Sequence, residues 1–176
     1  SPQWVSIGNP ELIDKRAGRT VPVAPGGVLN DYVPFYFTPF SVMLRNIHTG
    51  WNGIKQVRNE DIVILVSSLF QVRDLGLRFL FTNSHAYSGV AHYFDDLIHL
   101  DQVDWPLLQR RDFKRDPEDP GKLERYQAEA LVHHHVPLAA LLGIVCYTDA
   151  VRADIERRMQ AQGAALPVYT RADWYF

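Results

Sequence analysis

Six short runs of apolar, mostly β-branched or aromatic residues, set at irregular intervals among helix-like stretches, constrain this chain more than any other feature of its sequence. Tyr32–Phe37 is dense in aromatic residues and reads as a strand, and Pro34 puts it at a sheet edge or at a strand start. Ile62–Val66 is a continuous apolar run of strand length, which predicts a buried central strand. Leu77–Phe81, Ala128–Val132, Gly143–Tyr147 and Val168–Thr170 complete the set. Helices are expected over Glu11–Arg19, over Pro39–Gly50, and from a cap at Ser67 or Ser68 through Leu75. Val90–Leu100 has helical spacing, with Phe94, Leu97 and Ile98 on one side. A last helix of about twelve residues, capped by Thr148 or Asp149, carries Val151, Ile155 and Met159. Strands outnumber helices and do not alternate with them, so the fold class is α+β with mainly antiparallel sheets. With 176 residues the chain is expected to form a single domain.

Composition removes several classes of function. The chain is 47% hydrophobic and 22% charged, which are globular values. Cys146 is the sole cysteine, so neither an intrachain disulfide nor a multi-cysteine zinc site is available, and this usage suits the cytoplasm. The longest apolar stretch, Val136 to Tyr147, falls well short of the roughly 20 residues needed to cross a bilayer. A net charge of −2 argues against holding nucleic acid by broad attraction, so any nucleic-acid contact has to be local. The segment Arg110 to Arg125 is the most basic, but its six basic residues face five acidic ones, which also fits a solvated mixed-charge loop.

No glycine-rich dinucleotide fingerprint or phosphate loop follows any strand. His133-His134-His135 cannot all face one metal from a strand, because side chains alternate, and no metal site is assigned. Glu129 is more informative. Alternation places Glu129, Leu131 and His133 on one face, in a cleft shared with His133, and Ala130 and Val132 on the other. A carboxylate heading an apolar strand has to be solvated or hydrogen-bonded, because burying it unpaired is costly. On the pattern alone, a salt-bridged structural glutamate is the better account.

Three segments change that balance: Pro25–Phe37, Phe79–His85 and Arg125–Val132, joined by the closing Arg171–Phe176. In sequence and order they resemble the DarT family, toxins of a bacterial toxin–antitoxin pair that ADP-ribosylate single-stranded DNA. The resemblance spans essentially the whole chain. It implies an ADP-ribosyltransferase fold, with NAD as co-substrate in a cleft between two small, mainly antiparallel sheets. It makes Glu129 and Arg16 the catalytic candidates, and Arg16, Tyr36 and His85 the NAD-binding ones. Arg110, Arg111, Lys114 and Arg115 take the position expected to meet DNA. The implied substrate is thymidine in a sequence context, or guanosine as in another branch of the family. A macrodomain antitoxin that reverses the modification is the implied protein partner, and the enzyme is expected to be a monomer.

The chemistry suits these residue types. Breaking the nicotinamide–ribose bond builds positive charge on the ribose, much as glycoside cleavage does. An ionised Glu129 can stabilise that charge. Arginine is almost always protonated, so Arg16 is read as a cation that orients the pyrophosphate or stabilises a deprotonated base. His85 can handle a proton, or it can simply hydrogen-bond within its turn. Family members begin with a His-x-Thr-His-type segment and a helix that touch the adenosine and the nicotinamide ribose. This chain starts at Ser1-Pro2, after that region, and His48 lies in the wrong context to replace it. The expectation is therefore a domain that lacks its native N-terminal segment. An inactive nucleic-acid-binding module of the same fold is the alternative from a different class.

Overall fold

The computed structural model describes residues 9–176; Ser1-Pro2 lies outside them. Helix α1 (Pro10–Ala17) starts on Asn9, whose side chain accepts the Leu12 N–H at 3.3 Å, and closes at Gly18. Strand β1 (Tyr32–Tyr36) leads to helix α2 (Val42–Thr49), capped by Ser41, and then to β2 (Ile64–Ser67). Ser68 caps α3 (Leu69–Asp74), which is followed by β3 (Phe79–Thr82) and the two-residue β4 (Tyr93–Phe94). Two short helices, α4 (Trp105–Arg110) and α5 (Lys122–Arg125), precede β5 (Glu129–His133). The chain closes with β6 (Leu141–Cys146), α6 (Asp149–Ala161), capped by Thr148, and β7 (Val168–Thr170).

The strands form a four-stranded sheet in the order β1-β5-β3-β4 and a three-stranded sheet in the order β2-β6-β7. All pairings are antiparallel except β6 with β7. This is the α+β arrangement of two small, mainly antiparallel sheets that the sequence predicts. Pro34 lies on β1, an edge strand, where its missing N–H does not break a ladder.

Strand β5 is central and buried on both faces. Ala130 joins Phe81, Leu107, Leu108, Val103 and Tyr126 in one core layer. Leu131 joins Leu80, Leu29, Tyr32, Val21 and Ala86 in the other. Each buried side chain of this size contributes about 1.5–3 kcal/mol over leaving it exposed. The loop that leads into β1 is pinned to the second layer, with Tyr32 Oη donating to the Gly26 carbonyl at 2.7 Å. Gly27 has φ +82°, and a Cβ there would lie 2.3 Å from Asp31 Oδ2, the acceptor for the Val28 N–H. No other residue fits that turn.

Two expectations are corrected. Ile62–Val66 is not a central strand, since β2 lies at a sheet edge and leaves Val63 and Leu65 exposed. An unbroken apolar run signals strand formation, but it does not say how many neighbours the strand will have. Val90–Leu100 is not an α-helix. Tyr93 and Phe94 pair with Thr82 and Phe81, and a 3-10 helix over Leu97–Gln102 follows a cap by Asp96. The stack of Phe94 on Phe81, with centroids 5.2 Å apart, outweighs the helical spacing, and Ile98 is left exposed.

Phe81→Ala opens a cavity where β3, β4 and α4 meet, and is expected to lower the free energy of unfolding by about 3–5 kcal/mol. Urea denaturation checks this, and a loss under about 1 kcal/mol would contradict the packing described.

Candidate active site

One row of side chains crosses the four-stranded sheet and builds the site. Tyr36 on β1 is the register partner of Glu129 on β5, and Thr82 on β3 is that of Tyr93 on β4. Phe81 pairs with Ala130, so the next register step sets Thr82 beside Glu129. Cross-strand partners share a face, which puts Tyr36, Glu129, Thr82 and Tyr93 on the side packed by Leu131, Leu80 and Ala86. The alternation read from the sequence therefore gives Glu129 its correct face.

Glu129 is only 2% exposed. Its Oε2 accepts from Arg16 Nη1 at 2.9 Å, an ion pair reaching from the last turn of α1. Its Oε1 accepts the main-chain N–H of Ala86 at 3.1 Å and lies 3.2 Å from His85 Nδ1. Burial is the largest single influence on this carboxyl and opposes its ionisation. The hydrogen bond from His85, the charges of Arg16 and His85, and the Ala86 N–H together outweigh burial and hold the pKa below its ordinary value. Tyr36 is driven the other way: burial first, then the Glu129 charge, push its phenol far above its usual value, so it remains a neutral donor.

His85 Nδ1 has two partners. It accepts the Tyr87 N–H at 3.2 Å and faces Glu129 Oε1 at the same distance. A ring nitrogen without a proton serves Tyr87; one that carries a proton donates to Glu129. The His85 N–H donates to the Glu124 carbonyl at 2.8 Å, which joins this turn to α5.

Arg19 has no sequence signal that separates it from other surface arginines, yet it belongs to the site. Its Nη2 donates to the Ser88 carbonyl at 3.1 Å, and its guanidinium lies 5.9 Å from the Tyr87 ring centre. Tyr93 Oη donates to the Ala86 carbonyl, which fixes the same turn from β4. Arg16 Nη2 and Arg19 Nε are buried donors with no hydrogen-bond partner among the described residues. Unmet cationic donors beside a carboxylate fit a ligand that presents both anionic phosphates and ribose hydroxyls, so these residues suit NAD. The main-chain N–H of Ala86 is equally invisible in sequence, since every residue type carries one.

The structure brings Glu129, Arg16, Tyr36 and His85 together. His133 does not share that cleft: it is four residues further along β5, beside the Tyr32 ring at 4.9 Å. Arg110, Arg111, Lys114 and Arg115 lie apart, at the end of α4 and in the loop after it. That loop is anchored internally. Lys122 pairs with Asp112, and Arg125 pairs with Asp119 at 2.6 Å and Asp104 at 3.2 Å. Arg111 lies 3.4 Å over the Phe40 ring, and Phe113 packs on Tyr126 and Phe176. None of the four predicted cations enters an ion pair among the described residues. Two shallow hollows of about 370 and 280 Å³ flank α6 and Gly143, and neither borders Glu129.

Fold and site together define an ADP-ribosyltransferase. The family model described as "ssDNA thymidine ADP-ribosyltransferase, DarT" matches residues 1–176. The DNA ADP-ribosyl transferase of Escherichia coli O127:H6 (strain E2348/69 / EPEC) is 57% identical over 173 residues, covering 98% of this chain and 79% of that protein. The structure superposes on Thermus sp. 2.9 DarT in complex with ADP-ribosylated ssDNA with a TM-score of 0.90 at 37% identity, covering 99% of this chain and 83% of that one. The same Thermus protein in complex with NAD+ gives a TM-score of 0.84 at 36% identity over the same shares. The chain belongs to the DarT family.

The lowered pKa of Glu129 has a measurable consequence. A carboxyl with a folded pKa below its unfolded value, about 4.3, contributes stability above that value and loses it as pH falls through the folded pKa. The difference in Tm between wild type and Glu129→Gln is therefore expected to shift against the wild type as the medium is acidified through that range. A difference that stays constant from neutral to acid pH is the contrary result.

Proposed function

We propose that this DNA ADP-ribosyltransferase transfers the ADP-ribosyl group of NAD to thymidine in single-stranded DNA, with Glu129 as the catalytic carboxylate. The observation that carries the reading is the ionised, 2% exposed Glu129 held by Arg16, His85 and the Ala86 N–H. The family description names thymidine in ssDNA, and the Thermus relatives are recorded with NAD+ and with ADP-ribosylated ssDNA.

NAD supplies the ADP-ribosyl group, and the bond to nicotinamide breaks with positive charge growing on the ribose. Glu129 is already anionic and fixed before that charge appears, so it stabilises the charge without reorganising, and it accepts a hydrogen bond from a ribose hydroxyl. Arg16 has Nη2 left over after its bond to Glu129, and it holds the phosphates or the deprotonated base. Tyr36, kept neutral, donates and packs beside the carboxylate. His85, whose Nδ1 faces Glu129 Oε1, is the side chain placed to handle the proton lost by the attacking base nitrogen.

Single-stranded DNA meets Arg110, Arg111, Lys114 and Arg115. Ion pairs anchor the loop at Lys122 and Arg125, and these four cations stay free for phosphates or bases. Arg111 among them is held over the Phe40 ring. A macrodomain antitoxin that removes the modification, and a cytoplasmic setting, belong to the same reading. No helix among the described residues is long and apolar enough to cross a membrane.

Two outcomes are expected. Glu129→Ala lowers kcat for modification of a thymidine-containing oligonucleotide by about 10²–10³-fold or more with the fold intact, followed as the mass gain of one ADP-ribose and mapped by fragmentation. An adduct on guanosine would move the substrate, and equal rates in both proteins would remove Glu129 from the chemistry. Replacing Arg110, Lys114 and Arg115 by alanine weakens binding of single strands and flattens the dependence of log affinity on log salt by about 0.7 per lost phosphate contact. An unchanged slope would place DNA elsewhere.

A further inference from the structure

The ladder between β3 and β5 ends on a side chain. His133 N–H donates to the Arg78 carbonyl at 2.9 Å, and two register steps alternate from there, so residues 82 and 129 would exchange main-chain bonds. Glu129 N–H instead donates to Thr82 Oγ1 at 3.1 Å. The same hydroxyl donates to the Ser84 carbonyl at 2.6 Å, and Thr82 is fully buried. A hydroxyl has one proton; with that proton directed at Ser84, a lone pair is left for the Glu129 N–H. One oxygen thus joins the backbone of Glu129 to the turn whose next two residues, His85 and Ala86, contact Glu129 Oε1.

We propose that Thr82 is a positioning residue for Glu129, its hydroxyl setting the distance between the carboxylate and the turn that receives it. The inference rests on the catalytic reading of Glu129. Thr82 touches no substrate in this account; it acts through the first residue of β5. Valine has nearly the same shape but leaves two buried main-chain groups without a partner, Glu129 N–H and Ser84 C=O. The strand end and the turn then relax separately, and a displacement of about 1 Å at a reacting group is enough to cost about 100-fold in rate. Thr82 itself is assigned no contact with NAD, so the effect is expected in kcat rather than in KM for NAD.

The test compares Thr82→Val, Thr82→Ser and Glu129→Ala in the whole chain, with NAD and a single-stranded oligonucleotide, after thermal unfolding has shown each to be folded. Thr82→Val is expected to lose about 10–100-fold in kcat with KM for NAD changed by less than about threefold, and Thr82→Ser, which keeps the hydroxyl, recovers most of the loss. Wild-type kcat from Thr82→Val beside an inactive Glu129→Ala overturns this proposal alone. So does a Thr82→Ser variant as slow as Thr82→Val, since that assigns the effect to the methyl group. Wild-type rates from Glu129→Ala overturn the parent reading and this one with it. Where Thr82→Val does not fold, Thr82→Cys, similar in size with a weakly hydrogen-bonding thiol, is held to the same outcomes.

Discussion

The ion pair between Arg16 and Glu129 is the constraint around which the described structure is organised. A carboxylate 2% exposed is stable only if its charge and lone pairs are answered, and removing one partner of such a pair typically costs about 3–5 kcal/mol. The partners come from distant parts of the chain. Arg16 lies in the last turn of α1, Ala86 and His85 lie in the turn after β3, and Glu129 opens β5. Folding must bring all of them together before the carboxylate is satisfied, so assembly of the site and closure of the second core layer are one event. A protein selected for stability alone could fill this place with leucine. Keeping a charge here is expected of a site whose function needs an anion fixed in advance.

The same logic explains the shape of the sheet. Glu129 stands at the first position of a strand whose next three residues are fully withdrawn from water. At that end the ladder to β3 gives way to the Thr82 hydroxyl, while on the other side Tyr36 remains the register partner of Glu129. A main-chain ladder carried one step further would hold Glu129 equally well. It would not tie it to the Ser84–Ala86 turn. The polar row Tyr36, Glu129, Thr82, Tyr93 is therefore a seam at which the apolar sheet ends and a hydrogen-bonded site begins.

Much of this was legible in the residues, for reasons that can be named. Period-two alternation fixes which residues share a face with Glu129, because successive side chains of a strand point to opposite sides. Pro34 marks an edge, and Ser68 and Thr148 mark helix starts, because each carries a local stereochemical preference. Where pattern and packing compete, pattern fails: Tyr93 and Phe94 join β3 since Phe81 offers a ring to stack on, a partner that lies outside any local window. The role proposed for Glu129 was not legible from spacing at all. Its partners are 113 and 43 residues away, and resemblance over long segments, not periodicity, supplied the link. Arg19 and the Ala86 N–H escaped even that.

Charge in the Arg110–Arg125 segment shows why a count of residues misleads. Six basic against five acidic residues describes a nearly neutral loop. The fold distributes them unevenly, with Lys122 and Arg125 drawing Asp112, Asp119 and Asp104 into its base. The cations outside those pairs cluster toward the α4 end of the loop, at Arg110, Arg111, Lys114 and Arg115, while Asp116 and Glu118 follow them. A strand of phosphates approaching from that side meets positive charge first and a negative border beyond it. Such a border limits how far along the loop a backbone can track, which favours a short, defined contact over sliding attachment. The His85 N–H bond to Glu124 ties the far end of the same segment to the turn that holds Glu129, so on the proposed reading the loop and the carboxylate are parts of one site.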